Sequence, residues 1–217
     1  MARRTDSPAA PRVAAPDLPA VLDAAGLSAR GDLLGARIDG LSGQASGAHG
    51  RLAESRISAA SVDRLDLAGA SLSDVAIDQL KAVELIARDG SWRGVEIVGG
   101  RISTFDGLRA EWDSVVLRGI RIDYLSLPSA VLGDVLIAEC EIGTLDVPDA
   151  RLTRVRFENS RADEVDTRGL RAVDLDLRGL EALSFTDPRG LSGATLAPRQ
   201  AELHAPAFAA ALGIRLA

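Results

Sequence analysis

The chain predicts an all-β solenoid, and three observations predict it. The first is an apolar beat of five. Every fifth residue from Leu52 to Ala182 is apolar except Gly107 and Thr167. A second apolar column sits two residues earlier in each unit, from Leu65 and Val75 through Val115 and Leu125 to Val155. No charged residue interrupts either column. A period of five fits neither the helical 3.6 nor the strand alternation of two. Both columns can face one way only if the chain turns a corner in every unit, which is a coil. The second observation is a longer order of twenty. Val75, Val95, Val115, Val135 and Val155 recur at that spacing, as do Leu65, Leu85, Phe105, Leu125 and Leu145. Trp92 and Trp112 are also twenty apart. Four units therefore make one coil, so the coil has four sides. The third is composition. The 217 residues are 47% hydrophobic but only 3% aromatic, as a narrow interior requires. The 27 units from Leu52 to Ala182 make about 6.75 coils, roughly 32 Å at ~4.8 Å per layer.

The elements follow in order. Residues 1–16 are rich in Ala, Pro and Arg and predict a disordered tail. Asp17 to Gly26 predicts a short helix, with Asp17 as cap and Gly26 as stop. Within 17–49, Leu33 and Ile38 hint at fives, but the register breaks. Gly40 to Gly50 is loose in Gly and Ser, so an irregular first coil or loop is expected. Residues 50–196 form the repeat domain, ending in a shifted repeat, Leu191 to Leu196. Pro128, Pro148 and Pro188 follow inward positions, where proline presets φ for a corner. Residues 197–217 predict a helical cap, bent or divided at Pro206 and stopped by Gly213. The last coil of a solenoid exposes its interior and its strand edges. Leu203 and Phe208 are the expected plugs.

Units such as Ala70-Ser71-Leu72-Ser73-Asp74 and Ala150-Arg151-Leu152-Thr153-Arg154 resemble those of the pentapeptide-repeat family, over residues 50–185. The resemblance implies a right-handed quadrilateral β-helix. In gyrase-protecting members a similar Ala-rich terminal segment joins two rods end to end. The likeness to Phe208–Gly213 is one of general character. It implies a homodimer through the C-terminal segment, with Leu203, Phe208 and Leu212 at the junction. Those members are acidic rods read as imitating duplex DNA, which implies DNA gyrase or another topoisomerase as partner. The long inserted loop of several quinolone-resistance members is missing here.

Catalysis has no support in the residues. His49 and His204 have no partner at metal-ligand spacing. Lys81 is the only lysine, so there is no phosphate loop, and no Gly-x-Ser-x-Gly elbow occurs. No enzyme activity, cofactor or metal is expected. Cys140 stands at an inward position and reads as a buried filler. No apolar run is long enough to span a membrane, and Arg3 and Arg4 precede no secretory apolar stretch. A cytoplasmic protein is expected.

Function must then lie on the outer surfaces. Residues 50–184 hold 24 acids against 17 bases. Between 122 and 150 stand Asp123, Asp134, Glu139, Glu141, Asp146 and Asp149, with no Lys or Arg. These six are the candidate partner-binding acids. A duplex carries one charge per ~1.7 Å, so the net of −7 is about a third of a true imitation. An acidic rod is not expected to bind nucleic acid directly. The alternative is a scaffold that binds a protein through a flat sheet face, where Val98, Val116 and Leu136 make a small outward apolar patch. One continuous negative face favours mimicry, and alternating signs favour the scaffold.

Overall fold

The computed structural model describes residues 7–216. It is a parallel β-solenoid of about eight turns with two short helices near its C-terminal end. Every strand pairing is parallel, and most run at an offset of twenty. On face A, Leu52, Leu72, Trp92, Trp112, Leu132 and Leu152 stack in register. On face B the column is Ile57, Ile77, Ile97, Leu117, Ile137 and Phe157. Face C carries Val62, Ala82, Ile102, Ile122, Ile142 and Ala162. Face D, led by Leu67, is a series of tight turns such as Leu67–Ala70, closed between coils by bonds such as Leu67 N–H to Ile86 O at 2.7 Å. Both columns point inward and form one continuous core.

Three of the four corners use the left-handed backbone. On the A/B corner Glu54, Asp74, Gly94, Ser114, Asp134, Arg154 and Asp174 all have φ near +55. The D/A corner, through Asp89 and Asp149, and the B/C corner, through Gln79, Gly99 and Asn159, do the same. Gly, Asp and Asn enter that region at least cost. The C/D corner carries Arg64, Glu84, Thr104, Tyr124, Thr144, Glu164 and Ser184, and none of them has positive φ. It holds no Gly, Asp or Asn. Among these corner residues, Gly, Asp and Asn therefore occur only where φ is positive.

Trp92 and Trp112 stack at 5.4 Å with planes 11° apart, and Phe105 tilts against both. Gly107, the gap in the apolar beat, makes room for Leu127, and Gly90 makes room beside Trp92. A methyl on Gly107 would lie 2.6 Å from Leu127 Cδ2, and one on Gly90 would lie 3.2 Å from Trp92 Nε1. The two indole N–H groups are buried without partners. Each costs about 1–3 kcal/mol, which the burial of two large rings offsets.

The N-terminal end departs from expectation twice. Residues 17–26 form no helix. Pro19 removes a donor and pushes its neighbour to extended backbone, and Asp23–Ala24 instead pairs with Ala36–Arg37. Residues 7–16 are placed along the rod rather than disordered, while 1–6 lie outside the described residues. The first full coil is regular but one residue short. Leu33 and Ile38 pair with Leu52 and Ile57 at an offset of nineteen, and the register shifts between Gly43 and Gln44. That missing residue is why the fives seem to break.

The C-terminal end repeats the device. Leu175 and Asp176 pair with Ala194 and Thr195 at nineteen, as the shifted repeat predicts. Pro188 opens a 3-10 turn, Pro188–Leu191, rather than a simple corner. Helices Pro198–Leu203 and Ala205–Ala211 then cover the end, divided at His204. The Gln200 amide donates to Leu177 O and Leu180 O at 2.8 and 2.6 Å, closing the open edge. The plugs are Phe208, packed on the core, and His204, buried edge-on to Phe185 at 4.9 Å. Leu203 is not a plug. It is 68% exposed, and Leu212 is 72% exposed.

Candidate partner-binding surface

Twenty residues per coil disperse the six acids around the rod. Asp134, Glu139 and Asp149 stand at left-handed corners on three different edges. Asp123 and Glu141 lie on face C, and Asp146 lies on face D. They do not form one acidic face. This is the physical reason: neighbours in sequence turn away from each other at every corner, whereas neighbours in space are twenty apart.

The bases missing between 122 and 150 arrive from the coils above and below. Arg101 and Arg121 hold Asp123, at 3.0 and 3.5 Å, and Arg121 also reaches Glu141 at 3.5 Å. Arg118 lies 3.9 Å from Glu139. Asp134 is buried and held by two bonds of 2.6 Å from Arg154. Asp146 is held by the Tyr124 hydroxyl at 2.9 Å and Ser126 Oγ at 3.2 Å. Asp149 stands beside Gly169, with no ion pair among the described residues. The Arg101 guanidinium holds the Asp123 carboxyl below the usual range, and Arg154 does the same for Asp134. Burial pushes the Tyr124 hydroxyl up, with help from Asp146.

Other acids serve the turns. Asp66, Asp106, Asp166 and Asp176 each accept the N–H two residues on, at 3.0 to 3.2 Å. Such local bonds fix a corner. Arg88 and Arg168 cover Asp106 and Asp166. Seventeen ion pairs join the described residues, and ten of them bridge successive coils. Opposite signs are cross-paired over much of the surface, with like charges stacked at Lys81, Arg101 and Arg121 and at Arg151 and Arg171.

The outward apolar patch is partly covered. Val116, Leu136 and Ala138 are 4%, 8% and 1% exposed, because Val13 of the N-terminal segment packs on them. Arg12 N–H donates to Asp134 Oδ1 at 2.8 Å, and Asp17 N–H to Asp74 Oδ1 at 3.3 Å. Sequence reasoning missed this strap. Its signals are the spacing of Pro8, Pro11, Pro16 and Pro19 and the apolar residues facing out on consecutive coils.

Cys140 is buried, its thiol donating to Ala138 O at 3.2 Å, and burial pushes its pKa up. Among the described residues no cluster of His, Cys, Asp or Glu could hold a metal, and no helix is long and apolar enough to cross a membrane. The sequence matches no protein-family model and no curated protein.

Proposed function

We propose that the chain is a pentapeptide-repeat protein whose rod is a non-enzymatic scaffold, presenting flat sheet faces to a protein partner. The observation that carries this reading is the cross-pairing of surface charge between coils. A duplex mimic offers free negative charge along one line. Here Asp123, Asp134 and Glu141 are neutralised by Arg101, Arg121 and Arg154 before any partner arrives. Paired surface charges contribute little on their own, and they leave shape and apolar contacts to decide affinity. The four-sided winding implied by the family supports the same reading, since it supplies broad, stiff faces without a cleft.

A supercoiling assay with purified DNA gyrase at low and moderate salt separates scaffold from mimic. The scaffold reading expects no inhibition and no drug protection at either salt. Inhibition that fades as salt rises, and that disappears when Asp134, Glu139, Glu141 and Asp146 become Asn or Gln, would overturn it in favour of a topoisomerase partner.

A further inference from the structure

The N-terminal strap is a ligand in all but connectivity. Residues 8–18 join no strand or helix. Pro8, Pro11, Val13, Pro16 and Leu18 are half-buried, and the residues between them are exposed. The strap is fastened by two main-chain N–H groups, both donated to aspartates, and by one aliphatic side chain. Its anchors Asp134 and Asp74 are three coils apart on the A/B corner, about 14 Å at ~4.8 Å per layer. Five residue steps, from Arg12 to Asp17, cover that distance. The rise is about 2.9 Å per residue, close to the ~3.1 Å of a polyproline II segment and far from a helix. Four prolines within Pro8–Pro19 prepare that conformation in the free chain.

The surface beneath is built for such a segment. Val116 and Leu136 stack on successive coils, and Ala138 beside them is small enough to admit Val13. Asp134 is aimed by Arg154, so its carboxylate faces the passing N–H in a fixed direction. Asp74 and Asp134 share the left-handed corner, which repeats the acceptor along the track. The contacts recognise an extended backbone with one aliphatic side chain, and nothing in them requires that the segment belong to this chain.

We propose that the outer face bearing Val116, Leu136 and Ala138 is a docking track for an extended, proline-spaced segment of a partner protein, and that residues 8–18 fill it as a displaceable cis-ligand. Recognition of proline-rich segments uses the same economy, because the free ligand is already extended. A tethered strap competes at an effective concentration in the millimolar range. It therefore masks the track from weak ligands and yields to tighter ones.

The test is a fluorescence-anisotropy titration with a labelled peptide of residues 7–19. The receptors are the full chain and its Val13→Asp variant. Val13 lies outside the core, so the variant should stay folded. Its unfolding midpoint, read from Trp92 and Trp112, should fall only by what the strap's own docking contributes, a factor of about ten in the folding equilibrium. The peptide should bind the variant and bind the native chain about tenfold or more weakly, as expected for a millimolar internal competitor against a ligand of ~0.1 mM affinity. A peptide of the same composition with its prolines moved should not bind the variant. Equal binding to both receptors would overturn the proposal, and so would no binding to the variant or equal binding of the shuffled peptide. A native dimer that Val13→Asp dissociates in light scattering would also overturn it, by showing the strap exchanged between two copies.

Discussion

Gly100→Ala and Gly119→Ala, made side by side, separate steric clash from backbone strain. Both residues lie near the B/C corner with positive φ, +104 and +63. A methyl on Gly119 meets nothing within 4 Å, so its cost is the left-handed penalty alone, about 1 kcal/mol. A methyl on Gly100 would lie 2.1 Å from Leu80 O and 2.7 Å from Leu80 N. Leu80 belongs to the preceding coil and is the registered partner of Gly100. Its backbone cannot rotate aside, so the two coils must part and weaken their ladder. Overpacking costs ~1–3 kcal/mol and the φ penalty adds ~1–2 kcal/mol, giving about 2–5 kcal/mol in all. Urea unfolding, followed through Trp92 and Trp112, reads the difference. With a slope of about 2 kcal/mol/M, the midpoint should fall by roughly 1–2.5 M for Gly100→Ala and by ~0.5 M for Gly119→Ala. Equal midpoints would refute the claim that coil spacing at Leu80–Gly100 sets the residue there.

Three further outcomes follow from the same geometry. Ile122 is fully buried between Ile102 and Ile142, so Ile122→Asp should give insoluble or unfolded protein, an unpaired buried charge costing several kcal/mol. Asp123→Asn, one residue on, loses only exposed ion pairs and should cost under about 1 kcal/mol in a thermal melt. The carboxyls of Asp134 and Asp166 are held below the usual range by Arg154 and Arg168. A depressed folded pKa stabilises above the unfolded value of ~3.9 and loses that contribution as pH falls through the folded value. The melting temperature should therefore drop below about pH 4, and Asp134→Asn should make the drop shallower. If the C-terminal helices join two copies through the exposed Leu203 and Leu212, changing both to Asp should halve the mass in light scattering and make the melting temperature independent of protein concentration.

The coil was legible because a narrow tube leaves no choice inside. The inward positions of residues 52–165 share one continuous core, so a single charge there would show. The shortened N-terminal coil was only half legible, through Leu33 and Ile38, since a missing residue at Gly43–Gln44 sets those two out of step with the later apolar positions by one. The N-terminal helix was misread from Asp17 and Gly26. Those residues suit a helix boundary, but Pro19 and the Asp74 carboxylate suit an extended chain better. The acids were misread in a different way. A window of sequence from 122 to 150 holds no base, yet in a coil of twenty the neighbours of Asp123 and Asp134 are Arg101 and Arg154. Linear charge density measures surface charge poorly when the chain turns four corners per layer. Val116 and Leu136 were visible as an outward patch, but their cover lies more than a hundred residues away in sequence.

The alternation of signs is a demand of the fold itself. An in-register parallel solenoid sets each residue directly against the one twenty positions on, and like charges so placed repel. The chain answers with opposite pairs: Arg93 against Asp113, Asp89 against Arg109, and Arg121 against Glu141 against Arg161 against Glu181. Where like charges stack, a third group intervenes in two cases, while Arg151 lies against Arg171 with no ion pair among the described residues. Lys81, Arg101 and Arg121 form one column, and Asp123 bridges the last two. Asp146 and Asp166 are neighbours, and Tyr124 holds the first while Arg168 covers the second. A surface dense in one sign would have to override this at every layer. Folding and mimicry thus pull the outer columns in opposite directions, and in this chain the columns follow the needs of folding. Salt should accordingly change partner binding little, and substitutions along the Val116–Leu136 track should change it most.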